Sequence, residues 1–273
     1  MEGVIKIITA KDIKGKNEIG GALLSAESAT ADLNGKATLM ACTEILKRLK
    51  TVAASALQAN ESDIEFIDEI IYCNNVASDL TWNKIVQMAF VQRVSLSGHA
   101  HYSTPEIHFD KTKKKGHPFA YHVYGTSATT VTVDCLRGIY EVDKVDIVHD
   151  FGSSMNMPID VGQIEGGLVQ GIGWMTMEEV VYDANGKLRS NALSTYKVPD
   201  IYSVPKEINI HFLETDKDNL AIFKSKAVGE PPLMYGIGAY FALEDAIKNF
   251  NPKATIPCNA PMTPEKTLMA LYS

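Results

Sequence analysis

Three short stretches carry residue types that could do chemistry. In "SKAVGEPPLMYGIGAYFALEDAI", residues 225–247, Glu230 stands between Gly229 and two prolines, and an apolar run of helical character follows. Pro231 and Pro232 suit the first turn of a helix, where no backbone donor is missed. Glu230 then sits at or just before the positive end of a helix dipole, which favours an ionised carboxylate. Such a group is either a surface acid that complements the dipole or a usable general base. The second stretch, "DFGSSMNMPIDVGQIEGGLVQGIGW" (150–174), has glycines at 162, 166, 167, 171 and 173. A glycine inside a helix costs about 1 kcal/mol relative to alanine, so five of them need a reason. One reason is close packing against another backbone. The other is close approach of a bulky ligand, with backbone N–H groups and Gln163 exposed at a helix start. A glutamine amide can pair with the donors and acceptors of a heterocycle. The stretch is not a G-x-G-x-x-G dinucleotide motif, because residue 176 is Thr. The third stretch, "SAESATADLNG" (25–35), places Ser28 and Thr30 just before a helix. Their hydroxyls and the free N–H groups there either hold a phosphate or act as ordinary N-caps.

The elements that must position these residues follow from periodicity. Residues 4–9 read as a strand and "AKDIKGKNEIGG" as a loop. From residue 31 to about 57, Leu39, Cys42, Leu46, Leu49, Ala53 and Leu57 recur at three or four, predicting an amphipathic helix. Residues 64–72 predict a strand. Asp79 predicts the cap of a helix to about Arg93, with Trp82, Ile85, Met88 and Ala89 inward. Two or three strands are expected over 117–150, a hairpin at Asn185-Gly186 and a half-buried strand at 207–213. Helices are expected at 163 to about 179 and 231 to about 250. Such alternation, without a Pro/Gly-rich linker, indicates an α+β body of two-layer mixed sheets with packed helices.

Composition excludes several classes. The chain has 273 residues, 45% of them apolar, enough for a real core. Net charge is −7, and the one basic block, "KTKKK" at 111–115, reads as a solvated loop. Nucleic-acid binding, which needs clustered Lys/Arg, is not expected. No apolar run reaches the roughly 18 residues of a membrane span, so no membrane partner is expected. The start has no signal-peptide character. Cys42, Cys73, Cys135 and Cys258 are scattered without a C-x-x-C pair, which argues against a zinc ribbon or iron–sulfur cluster and fits a reduced, cytoplasmic protein. His99, His101 and His108 have no acidic partner at helical spacing and read as polar loop residues.

Taken in order, "ADLNGKA", "QRVSLS…YSTP", "DFGSSMNMPIDVGQIEGGLVQGIG", "STYKVPDIYSVP" and "SKAVGEPPL" resemble the molybdenum-binding C-terminal region of xanthine dehydrogenases, in the molybdenum hydroxylase family that includes aldehyde oxidases. The resemblance covers residues 25 to about 250, and "RVSLS" with "SKAVGEPPL" is most similar to the xanthine dehydrogenase branch. It implies a fold of the molybdenum-cofactor-binding-domain type and a molybdenum-pyranopterin cofactor. By position, Glu230 matches the family's active-site glutamate, with Gly229 beside it. Gln163, next to Gly162, matches the glutamine that hydrogen-bonds the pyranopterin. Ser28, Ala29 and Thr30 match the segment at the dithiolene and phosphate side. Glu27 stands where the family has a small residue. No protein side chain is implied as a metal ligand.

The implied reaction is oxidative hydroxylation of an electron-poor C–H carbon beside a ring nitrogen, in a purine or similar azaheterocycle, with Glu230 as general base. Residues 2–20 resemble the start of the small domain that precedes the first cofactor-binding domain in this family. The expected organisation is thus a remnant of that domain at 1–20 and the C-terminal cofactor-binding domain at 21–273. The implied partners are the missing half of the molybdenum subunit and iron–sulfur and FAD subunits or domains, with a small-molecule substrate and an oligomeric assembly. The isolated chain is expected to be inactive. Two other readings stay open: a shortened, non-catalytic cofactor-binding or interaction domain, and a family hydroxylase acting on another azaheterocycle or an aldehyde.

Overall fold

The computed structural model describes residues 27–213, 215 and 220–273, with backbone only for 27–29. The strand and loop expected before residue 23, and the boundary at residue 20, lie outside the described residues. The chain forms two compact units that divide between Thr104 and Pro105.

The first unit is built on a long helix, α1 (Glu27–Leu57), and a three-stranded antiparallel sheet of β1 (Ile64–Ile67), β2 (Ile70–Cys73) and β3 (Val76–Thr81), followed by α2 (Trp82–Val91). Leu49, Val52 and Ala53 of α1 meet Ile64, Ile71, Ile85 and Ala89 in its core, with Ile45 packed alongside. Leu46, expected inward, is 39% exposed. The buried stripe runs one position to its side, through Ile45, Leu49, Val52 and Ala53, with Ala54 also in the core.

The single strand expected at 64–72 is a hairpin. Asp68 and Glu69 take positive φ (49° and 64°) and reverse the chain. Asn74 and Asn75 do the same before β3, as short polar side chains tolerate. Asp79 consequently lies in β3, and the cap of α2 is Thr81, whose hydroxyl accepts from Lys84 N. The four inward positions of α2 hold: Ile85 and Ala89 are buried, and Trp82 and Met88 pack against the same cluster.

The second unit begins with a small hairpin, β4 (His108–Asp110) and β5 (Lys115–His117), whose turn carries the exposed lysines of "KTKKK". His99 and His101 precede it in exposed coil. A mixed sheet follows in the order β6 (Gly125–Val133), β7 (Tyr140–His149), β8 (Glu207–Phe212). The β6–β7 pair is antiparallel and the β7–β8 pair parallel. A parallel pair requires a long crossover. Here that crossover contains α3 (Met157–Thr176) and the irregular, turn-containing segment 177–206. The Asn185-Gly186 turn forms with Gly186 at φ 77°, but it closes only one bridge, Tyr182 with Leu188, rather than a ladder.

A 3₁₀ segment (Pro231–Gly236) runs directly into α4 (Ile237–Phe250), and α5 (Pro264–Leu271) closes the unit. Val142, Val145 and Ile147 of β7 pack against Ile164, Leu168 and Ile172 of α3 and against Tyr235 and Ala239. This layering of helices on a mixed sheet is the α+β architecture expected from the sequence.

Candidate functional site

The site is assembled where α3 meets the 3₁₀ segment. Asn156 caps α3, its side-chain oxygen accepting from Ile159 N, and Pro158 occupies the first turn. The helix therefore starts six residues before the expected position 163. Gln163 is nearly two turns in, and its backbone N–H is committed to the helix. Only its side chain is available to a ligand, which corrects the expectation of free N–H groups at a helix start.

Of the five glycines of α3, Gly167 and Gly171 make the close backbone packing the sequence allowed, Gly173 meets the Pro199 and Glu178 side chains, and Gly162 and Gly166 are open. A Cβ on Gly167 would lie 3.0 Å from the Pro232 side chain and 3.3 Å from the Gly229 carbonyl oxygen. One on Gly171 would run into the Leu233 carbonyl and lie 3.0 Å from Gly236 Cα. Those two glycines let the backbones touch. Gly162 and Gly166 have no atom within 4 Å of such a Cβ. They leave a bare strip of helix, with the exposed Gln163 on the same turn.

Glu230 occupies the cap position of the 3₁₀ segment, with Pro231 and Pro232 in its first turn as expected. The Gly229 carbonyl against Gly167 brings this cap beside the helix that carries Gln163. Both Glu230 and Gln163 are exposed, and neither side chain makes a hydrogen bond among the described residues.

The same face continues along α3. Gln170 and Trp174, seven and eleven residues after Gln163, line a cleft of about 500 Å³ with Glu178, Val198 and Leu233. Sequence reasoning missed Gln170 and Trp174, although their spacing from Gln163 places them on one helical face. Ile159 and Trp174 on α3 are 59% and 48% exposed. Exposed apolar side chains beside a cleft are a usual mark of a binding surface.

Ser28, Ala29 and Thr30 belong to the other unit. They lie inside the first turn of α1 rather than before it, since the helix already includes Glu27. Thr30 is engaged in an interaction within the fold.

Beneath the loop that leads to Glu230, His149 and Tyr235 are buried edge to face, with Tyr235 Oη 2.6 Å from His149 Nδ1. Burial, reinforced by the Asp150 charge, pushes the Tyr235 phenol up to about 12, so it stays protonated and donates. Burial lowers the His149 imidazole below 6.5, although Asp150 pulls the other way, so the folded ring is the neutral acceptor. The sign of the pH dependence follows. Below about 6.5 the unfolded chain takes up a proton that folded His149 refuses, so stability falls as pH drops through that range. Thermal melts between pH 5 and 7 should show this slope. His149→Gln, which keeps an acceptor for Tyr235 but does not titrate, should flatten it; an unchanged slope would assign the effect to other groups.

The described residues contain no group of three or more His, Cys, Asp or Glu that could hold a metal ion. The available groups are instead a glutamine amide, a carboxylate and an open strip of helix surface. They suit the edge and face of a heteroaromatic group held by hydrogen bonds and close contact.

A family model described as the molybdopterin cofactor-binding domain matches residues 13–205. The chain is 39% identical over 249 residues to xanthine dehydrogenase/oxidase of Mus musculus, covering 89% of this chain and 17% of that protein. It is 35% identical over 250 residues to aldehyde oxidase 1 of Bos taurus, covering 90% of this chain and 17% of the relative. It thus spans about a sixth of the curated relatives' length. Among solved structures, quinoline 2-oxidoreductase from Pseudomonas putida 86 aligns with a TM-score of 0.72 at 24% identity, over 89% of this chain and 30% of the other. At that identity the match bears on the fold alone. The aldehyde oxidoreductase from Desulfovibrio desulfuricans aligns with a TM-score of 0.56 at 29% identity, over 67% of this chain and 19% of that one.

Proposed function

We propose, from the premise that this chain belongs to the molybdopterin cofactor-binding domain family, that it forms one wall of the active site of a xanthine dehydrogenase-like hydroxylase. The observation that carries this reading is the bare strip at Gly162 and Gly166, flanked by an unpartnered Gln163 and an unpartnered Glu230. The strip admits a flat, bulky group to the helix backbone. Gln163 offers that group one acceptor and two donors. Ser28, Ala29 and Thr30 are proposed as contacts to the phosphate side of the cofactor.

When bound, the molybdenum cofactor would supply an activated oxygen and take the hydride equivalent, two electrons and a proton, from the substrate carbon. Glu230 is the general base: its carboxylate takes up the proton released as the new C–O bond forms, an assistance of about 10²–10⁴-fold. Gly167 permits the close approach of the Gly229 carbonyl to α3, and the two prolines hold the turn so that the carboxylate stays on the open face. The substrate class is a purine or similar azaheterocycle with an electron-poor C–H. The remaining wall, and iron–sulfur and FAD centres to remove the electrons, come from partner domains or subunits. The setting is the cytoplasm.

A second reading is favoured by exposure. Cofactor sites bury most of their ligand's surface, yet Gln163 and Glu230 both face outward. In that reading the chain by itself is a cofactor-binding or interaction module rather than an enzyme.

The test is molybdenum and pterin content after expression in a cofactor-making host, for the wild type and for Gly162→Ala with Gly166→Ala. The alanines should raise thermal stability, by up to about 1 kcal/mol each, because they remove helical glycines without a clash. They should also lower pterin content severalfold. Wild-type content in the alanine variants would remove the ligand role of the strip. A folded wild type without pterin would favour the second reading.

A further inference from the structure

We propose that Asp150 and Lys226 form a positioning clasp that sets the Glu230 loop against the helix carrying Gln163. The inference rests on the reading of Glu230 as the base. Asp150 is fully buried and the Lys226 side chain is 9% exposed, with Nζ 2.5 Å from Asp150 Oδ2. The other carboxylate oxygen, Oδ1, accepts from Thr215 Oγ1 at 2.5 Å and from Gly152 N at 3.2 Å.

The backbones on either side are stitched in the same place. Lys226 N donates to Phe151 O at 2.7 Å, and Ser153 N donates to Lys224 O at 2.9 Å. Gly152 bridges Ser225, with φ 68°. A side chain at Gly152 would be strained by that φ and would strike the Lys224 carbonyl.

What the clasp joins gives it a role beyond stability. Asp150 stands at the end of β7, seven residues before α3 begins. Ser154 Oγ ties the intervening loop to α3 by donating to Asp160 Oδ2 at 2.5 Å. Lys226 stands four residues before Glu230. Beyond it, Val228 packs on the core and the Gly229 carbonyl rests against Gly167. The offset between the Gln163 helix and Glu230 is thus held at both ends of a four-residue span, while the Glu230 carboxylate stays free.

A buried ion pair is a poor way to gain stability, since apolar residues of the same volume do as well or better. What it adds is one permitted register. Burial by itself would raise the Asp150 carboxyl. The hydrogen bonds from Lys226, Thr215 and the Gly152 amide, with the Lys226 charge, outweigh it and hold the group below the usual carboxylate range. Below neutral pH the pair therefore survives until Asp150 itself titrates. Lys226 also lies 5.9 Å from the Tyr124 ring, and His149 and Tyr235 are the titratable groups that feel the Asp150 charge, with Asp160 acting in turn on His149.

The test compares Lys226→Met, which removes the charge, with Lys226→Arg, which keeps it. Amide hydrogen exchange on the full chain reads the loop directly. Lys226→Met should speed exchange at 224–230 at least tenfold while β1–β3 stay at wild-type rates, and Lys226→Arg should restore most of the protection. In the assembled enzyme, Lys226→Met should lower kcat at least tenfold with KM within about twofold, and Lys226→Arg should recover it. Should Lys226→Met fail to fold, Lys226→Gln reads the same loop. Unchanged exchange at 224–230, equal loosening of both units, or no rescue by Arg would overturn the clasp. The underlying reading fails separately. If Glu230→Gln keeps full turnover while Lys226→Met still loosens the loop, the base assignment is wrong and the clasp stands. If Glu230→Gln abolishes turnover and Lys226→Met changes neither readout, the clasp is wrong and the base stands.

Discussion

Glu230→Gln is expected to lower the turnover of the assembled enzyme by about 10²–10⁴-fold, the contribution typical of one general base. The substitution keeps volume and hydrogen-bonding reach and removes only basicity. Glu230 is exposed and makes no side-chain hydrogen bond among the described residues. Stability should therefore stay within about 0.5 kcal/mol of wild type, as for other surface substitutions without partners. Pterin content should also be unchanged. The pair of measurements is kcat against the thermal melt of the same preparation. Glu230→Asp keeps a carboxylate but draws it back by one methylene, and should fall between the two. Turnover within threefold of wild type in Glu230→Gln would return Glu230 to the other role its position allows, a surface acid at a helix start.

The largest stability effect is expected from Gly171→Ala and Gly236→Ala. These residues face each other where α3 crosses the 3₁₀ segment, and each one's Cβ would enter the other's backbone or that of Leu233. Overpacking commonly costs about 1–3 kcal/mol. Here the obstacle is main chain, which cannot turn aside as a side chain can, so about 3 kcal/mol is expected for each. The urea midpoint with an unchanged m-value is the measurement. The double variant should cost clearly less than the sum, because one displacement of the 3₁₀ segment relieves both clashes. Additive losses, or a loss below about 1 kcal/mol, would mean that the backbones are not in contact. Opposite signs at Gly171 and at Gly162, on one helix, would separate packing glycines from ligand-facing ones.

The local signals in the sequence were read well where a single physical cause dominates. Pro231 and Pro232 after Glu230 marked a helix start because proline fits only the first turn, and the structure puts them there. The alternation at 207–213 marks a half-buried strand, and β8 runs Glu207–Phe212. Ile85 and Ala89 were read as inward from a period of 3.6. Errors arose where turn chemistry was subtle. Asp68-Glu69 and Asn74-Asn75 carry no glycine, so two tight reversals were invisible and one strand was expected in place of a hairpin. The start of α3 was missed because Asn156 and Pro158 lie inside a run of small and apolar residues that resembles a loop.

The sequence by itself determined the family, through the order of five motifs, and the resemblance singled out Glu230 and Gln163 as candidates for its site. It also determined that five glycines on one helix needed an explanation. Which glycines pack against another backbone was decided only by the tertiary structure, because that depends on what lies across from each: Leu233 and Gly236 opposite Gly171, and nothing opposite Gly162. The pairing of Asp150 with Lys226, 76 residues apart, was likewise beyond any local signal. A salt bridge has no period and no turn residue to announce it, and it forms only because the end of β7 and the loop before Glu230 are folded against each other.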